Sequence, residues 1–414
     1  MRPNASGPRR LEVIDGLRGY FLVFMVLNHL SFQHGYKLVK LNHGELGFVQ
    51  DAPGFVFLSG LLIGMVYTRR MANGGFGGAA TVIWRRAFQL FCYSTACIVT
   101  VLLLARLFPA AERAWSDWLG LLVGGDNGTA LAAVALLYQP GYMDILPQYI
   151  VYLVAAPPLL MLCIRGRWYW VAALSAALWL AVQVGLHFPL AAGIDSVLGA
   201  LHNGLVLRTH FNMLAWQVVF MSALILGTLT IQGRIDWREV FHPERRAAFV
   251  MASTITLFFA VVRLSWTWEL LPESTVEHLI RYLDRTEFGA IYLLNFVSLA
   301  YVVGWLIVAG PRAEGAAARW SGRGLNALFR LPFLQLLGRN SLQVYAYHVI
   351  LVYLLALFDR QLGPLPELLK DLFAVAAVAS LALPALYMER RKSRSRTAVL
   401  PPVGPQAVAA AGAP

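Results

Sequence analysis

The chain has 414 residues, of which 58% are hydrophobic and only 14% charged, against about 25% charged in an average soluble protein. Its mean hydropathy of +0.60 excludes an ordinary soluble fold and makes it a polytopic membrane protein. The net charge of +12 would suit a nucleic-acid partner, but its placement along the chain argues against one. A backbone in hydrocarbon must satisfy its own polar groups, so only helices or a closed barrel can span. The apolar runs are mostly of about 17 to 25 residues, the length of transmembrane helices and not of alternating barrel strands. The predicted fold class is therefore an all-α polytopic membrane protein. Cys92, Cys97 and Cys163 all fall in apolar runs with no metal or disulfide spacing, so they are expected to be small buried hydrophobes.

Ten spans are predicted, near 13–33, 52–68, 82–107, 142–164, 168–187, 211–232, 247–264, 288–310, 333–358 and 367–388. The first could be mistaken for a signal peptide, but Arg18 and His29 interrupt it and no small-x-small cleavage site follows promptly, so it is read as retained. A weaker apolar stretch at 129–139 is expected to form a half-helix that re-enters or lies at the interface. With the N-terminus inside, the inner segments carry twenty Lys and Arg and the outer ones eight. That bias predicts that both termini are cytoplasmic and turns the basic charge into a topology signal, with no nucleic-acid partner. Loops 34–51, 108–141, 188–210 and 265–287 then face the exterior. The chain divides into a short N-terminal segment (1–12), one membrane domain (13–388) and a basic, then Pro- and Ala-rich tail (389–414) expected to be disordered. No internal repeat is visible.

Ionisable residues inside spans are costly and point to function. In IDGLRGYFLVFMVLNHLSFQ, residues 14 to 33, Arg18 and His29 are eleven residues apart. At about 3.6 residues per turn that is roughly three turns, so they share a face about 16 Å apart along the axis. Arg18 lies toward the inner surface and His29 toward the outer one. A neutral imidazole is a competent general base near pH 7. Asp15, one turn before Arg18, is expected to pair with it. Arg85 and Arg86 open the third span in WRRAFQLF. Adjacent arginines at an inner edge commonly serve as topology anchors; with Arg18, Arg69 and Arg70 they also make an anion pocket for a phosphorylated nucleotide.

In DAPGFVFLSGLLIG, residues 51 to 64, Gly54, Ser59, Gly60 and Gly64 have helix-packing spacing. Asp51 and Glu45 lie just outside, where a polar acceptor would arrive. In LYQPGYMDILPQYIVYL, Asp144 is placed to start the fourth span or to orient a hydroxyl or the imidazole, and Tyr149 follows it toward the same path. In LGRNSLQVYAYHVIL, Ser341, Tyr345 and His348 share one helix face, a pattern expected to line a cavity and contact substrate.

These residues resemble a known group. The Arg-x10-His pattern on the first span, the paired arginines of the third, and the Ser-Leu-Gln-Val-Tyr-x-x-His stretch resemble the acyltransferase 3 superfamily of membrane acyltransferases. IDGLRG, DAPGFVFLSG, RRAFQL, LLYQPGYMDILPQYIV, FNMLAWQVVF and LGRNSL resemble its OpgC-type branch, the succinyltransferases of osmoregulated periplasmic glucans. The likeness runs from residue 14 to 342. It implies an acyl-CoA donor on the cytoplasmic side, a glycan hydroxyl acceptor outside, and location in a bacterial inner membrane. His29 would be the base, and Arg18 and Arg86 would hold the donor. No fused extracytoplasmic esterase-like domain is expected, and these motifs do not choose between succinyl and acetyl. The reading that follows is an integral membrane O-acyltransferase with His29 and Asp144 as catalytic residues, Arg18, Arg85 and Arg86 for the donor, and Asp51, Tyr149, Ser341, Tyr345 and His348 for the substrates. No permanently bound cofactor and no metal is expected. A transporter or flippase for a polar lipid or glycan suits intramembrane charges equally, though it fits poorly with the lack of repeated halves. A membrane N-acetyltransferase acting on amino sugars is the third reading.

Overall fold

Glycine sets how closely the long helices approach one another. The computed structural model describes residues 7–399, so the end of the Pro- and Ala-rich tail lies outside it. The helices are α1 (Gly7–His29), α2 (Asp51–Leu107), α3 (Pro109–Leu119), α4 (Asn127–Val134), α5 (Ile145–Ile164), α6 (Trp168–Gln183), α7 (Phe188–Leu201), α8 (Met213–Ile231) and α9 (Trp237–Val240). They continue with α10 (Arg246–Thr267), α11 (Glu273–Tyr282), α12 (Ala290–Val308), α13 (Ala316–Leu328), α14 (Pro332–Arg339), α15 (Ser341–Leu362), α16 (Glu367–Ser380) and α17 (Ala382–Val399). Among the described residues there is no strand beyond one isolated bridge between Tyr138 and Arg208.

Seven described helices are long and apolar enough to cross a membrane, or eight if α6 and α7, which meet at 76°, form one span. The sequence predicts ten, and two features account for the difference. The helix α1 is not among the seven, because Asp15, Arg18 and its terminal Asn28 and His29 dilute its apolar run. The 57-residue α2 holds the predicted second and third spans, separated by Gly75 at φ 71° and ψ 176°. Tyr67 nevertheless lies within electrostatic range of Arg86. A straight helix would hold them about 28 Å apart, so the chain folds back around Gly75, where the left-handed φ favours glycine.

Three of the predicted exterior loops carry helices. Residues 108–141 contain α3 and α4, 188–210 contain α7, and 265–287 contain α11. The stretch 129–139 is helical only to Val134 and spans nothing, as α4 has eight residues. The basic segment from 389 is helical to Val399 as part of α17. Cys97 and Cys163 are buried as expected, but Cys92 is exposed.

The glycines predicted to serve packing do so. A Cβ at Gly60 or Gly64 would stand 2.3 Å from a carbonyl oxygen of α8, that of Phe220 or Leu224. The contact of α1 with α14 is tighter still. A Cβ at Gly16 would fall 1.7 Å from Phe329 O in the turn leading into α14, one at Gly19 1.9 Å from Leu334 O, and one at Gly338 1.8 Å from Asp15 O. In lipid, where burial of apolar surface no longer drives association, such close approach supplies the packing energy. Gly16→Ala is therefore expected to force α1 away from the turn leading into α14 and to cost about 2 kcal/mol or more. Gly74→Ala, where a Cβ meets nothing within 4 Å, should leave the unfolding temperature in detergent unchanged.

The chain leaving α1 is clamped onto the C-terminal helices. Gln33 N donates to Asp359 Oδ2 at 2.7 Å. The buried Lys370 ammonium donates to Gln33 O at 2.5 Å and to Gly35 O at 2.9 Å. These bonds fix the end of α1, where His29 sits. Lys370→Met orphans both carbonyls and should cost about 2 kcal/mol, read as a lower unfolding temperature in detergent.

Candidate active site

The site is built where α1 lies along α15. Arg18 Nη2 donates to Ser341 Oγ at 2.6 Å, and its guanidinium lies 5.5 Å above the Phe55 ring. Eleven residues on, His29 Nδ1 is 3.2 Å from His348 Nε2, with the two rings stacked at 5.4 Å. The predicted face of α15 thus meets the predicted face of α1 at both ends.

The hydrogen bonds fix the histidine tautomers. His348 Nδ1 is 2.6 Å from Tyr345 O. A carbonyl only accepts, so His348 Nδ1 carries the proton and Nε2 offers its lone pair. His29 Nδ1 must then donate to it. The proton of neutral His29 is thereby held on Nδ1, and Nε2 is left as a free base with no hydrogen bond among the described residues. His348 is fully buried, whereas His29 is half-buried at the end of its helix.

Other predicted residues fall around this pair. Tyr345 is buried and donates to Tyr142 O at 2.9 Å. Tyr149 lines a cavity of about 10 Å³ with Phe55, Val56, Ser59, Ile145 and Tyr152, room for about one water. Arg86 bonds to Gln89 at 2.7 Å and lies within electrostatic range of Arg18; Arg85 is exposed.

Three expectations change. Asp15 forms its ion pair with Arg339 at 3.5 Å and only a longer-range interaction with Arg18, because α14 presses its C-terminal end onto Asp15. Asp144 accepts from His210 N at 3.1 Å and makes no bond to His29; the imidazole is oriented by His348 instead. Asp51 is buried rather than open to an arriving acceptor. It accepts from Asn28 at 2.5 Å and stands 3.7 Å from His43 Nε2. His43 itself is pushed down to about 4 by burial, against a bond to the Gln50 backbone, and its Nδ1 meets Tyr20 OH at 3.2 Å. A neutral His43 fits a setting that also holds the buried Asp51 and the rings of Tyr20, Phe21 and Phe24.

Sequence reasoning missed Tyr142, whose ring centre lies 4.5 Å from that of His29. It also missed Arg285, which lies within electrostatic range of both His29 and Asp51 and bonds to Gln50. The Pro140-Gly141 turn ahead of Tyr142 was the one available signal for the former.

No curated protein and no solved structure matches the chain. Residues 9–393 match the family model described as OpgC protein, and since that stretch covers almost the whole length, the chain belongs to the OpgC protein family.

Proposed function

We propose that this OpgC-family protein is an integral membrane O-acyltransferase of the acyltransferase 3 type. It moves a succinyl or acetyl group from cytoplasmic acyl-CoA to a hydroxyl of an extracytoplasmic glycan. The reading places it in a bacterial inner membrane with ten crossings, counting α1 and both arms of α2, and with both termini cytoplasmic. The observation that carries it is the double pairing of α1 with α15: a fork of cationic donors at Arg18 and, about 16 Å along the helix, a tautomer-fixed base at His29.

In this reading Arg18, with Arg86 and Arg85 nearby, binds the phosphates of the donor, and the donor's arm extends along α1. The cavity beside Tyr149 is too small for that arm, so Phe55 and Tyr149 must swing aside. The acceptor hydroxyl donates to His29 Nε2. Its oxygen attacks the thioester carbonyl as His29 takes the proton. The C–S bond then breaks, and the CoA thiolate recovers that proton, giving an ester and free CoA. His348 Nε2 accepts from His29 Nδ1 throughout and so stabilises the imidazolium. Transfer through a covalent acyl-histidine on Nε2 uses the same lone pair.

Purified protein in detergent, given labelled acyl-CoA and a glucose oligosaccharide, is expected to place the label covalently on the sugar. A protein that binds the sugar yet leaves it unlabelled under all acyl donors, and moves it across the bilayer in proteoliposomes, supports the transporter reading and overturns this one. Label on an amino-sugar nitrogen in preference to a hydroxyl supports the N-acetyltransferase.

A further inference from the structure

The turn Pro140–Met143, between α4 and α5, is held in an unfavourable conformation beside His29. Tyr142 has φ +66°, a left-handed backbone that a bulky residue rarely adopts. Three bonds keep it there: Tyr345 OH donates to Tyr142 O at 2.9 Å, Tyr353 OH to Gly141 O at 3.0 Å, and Gly141 N to Trp118 O at 2.9 Å. Gly141 eases the last contact, since a Cβ there would stand 3.2 Å from Trp118 Cβ, closer than an ordinary van der Waals contact. Strain that the surroundings over-determine in this way is found at functional sites.

What the strain achieves is the placement of two aromatic rings. Tyr142 lies 4.5 Å from His29, tilted by 37°, and Trp118 packs edge-on to Tyr142 at 5.0 Å. Both rings are only half-buried, unlike their neighbours Trp115 and Tyr353. Tyr142 OH reaches the exposed Ser31 at 2.9 Å. The Trp115 indole donates to Tyr353 O, whereas the Trp118 indole has no bond among the described residues. Just ahead of the turn, Gln139 buries both amide atoms without a partner among the described residues, which buried polar groups seldom do. The result is an aromatic ledge with polar handles, running from the surface to the free lone pair of the proposed base.

We propose that Tyr142 and Trp118 form the acceptor subsite, a two-ring platform whose rings meet at 81°, so that a pyranose stacks its C–H face on one ring, rests its rim against the other and turns a hydroxyl to His29 Nε2. The electron-rich ring faces attract the polarised C–H groups of a sugar, and the unpaired indole N–H and Ser31 bond its hydroxyls. This inference rests on the acyltransferase reading for the role of His29, but the platform can be tested apart from it.

The probe is methyl glucoside, with sorbitol, rich in hydroxyls but ringless, as the control, titrated into protein in nanodiscs. Methyl glucoside should change the tryptophan emission saturably, sorbitol should not, and the response should vanish in Trp118→Phe. In transfer assays Tyr142→Ala and Trp118→Ala should raise the acceptor KM about tenfold and leave the donor KM unchanged. Tyr142→Phe, which keeps the ring and the fold, should stay near wild type. An equal response to sorbitol, no response to the glucoside, or an unchanged acceptor KM in Tyr142→Ala overturns the platform. Saturable glucoside binding without any label transfer leaves the platform standing and overturns the acyltransferase reading.

Discussion

Replacing His29 with Ala is expected to lower acyl transfer by about 10² to 10⁴-fold, with the unfolding temperature close to wild type. His29 is half-buried at the last position of α1, and among the described residues its one side-chain hydrogen bond runs to His348, so the fold keeps most of its contacts. The role of His348 gives this prediction a finer grain. His348 touches no substrate in the proposed reaction; it holds the proton of His29 on Nδ1. His348→Ala removes that acceptor and lets the other tautomer form, which should reduce kcat by about tenfold. His348→Gln puts an amide oxygen within reach of His29 Nδ1 and should recover part of the loss. A residue that merely filled space would show no preference for Gln over Ala. The comparison is made on initial rates at saturating donor, with donor KM measured alongside and expected to stay constant.

Arg18→Ala should act at the other end of α1, on donor affinity. Hydrogen bonds to charged groups are worth about 1.5–3 kcal/mol, so the donor KM should rise about 10- to 100-fold while kcat changes much less. Arg18→Lys keeps the charge but loses the planar fork that suits phosphate, and should fall between the two. The geometry sharpens this expectation. The guanidinium spends one nitrogen on Ser341, and its Nε is buried without a partner, so donor capacity remains for a ligand. Isothermal binding of CoA to both variants checks the assignment without relying on turnover.

The pairing of Arg18 with His29 on one face was legible from spacing alone, since it follows from helical periodicity. So was the shared face of Ser341, Tyr345 and His348. Their meeting was not: His29 and His348 are 319 residues apart in the chain, and nothing local reports a contact at that distance. The same limit explains Asp15. One turn before Arg18 it looked like that residue's partner, yet Arg339 reaches it because Gly16, Gly19 and Gly338 let α14 close onto α1. Apolar runs located most of the helices, as the hydrocarbon thickness makes run length informative. They could not show that α2 folds back at Gly75, because a backbone angle leaves no mark in hydropathy. Nor could they show α7, an apolar helix within a predicted loop. Tyr142 escaped for a related reason. Its place beside His29 depends on a left-handed φ imposed by Tyr345, Tyr353 and Trp118 from elsewhere in the chain.

Proteoliposomes with labelled acyl-CoA trapped inside and a glucose oligosaccharide only outside test the central claim most directly. If α1 carries a donor site at Arg18 on one side and a base at His29 toward the other, label must appear on the external sugar, and His29→Ala must lower its rate of appearance by about 10²-fold or more. Transfer only when donor and acceptor share one compartment, or transfer at the wild-type rate by His29→Ala, would contradict the account.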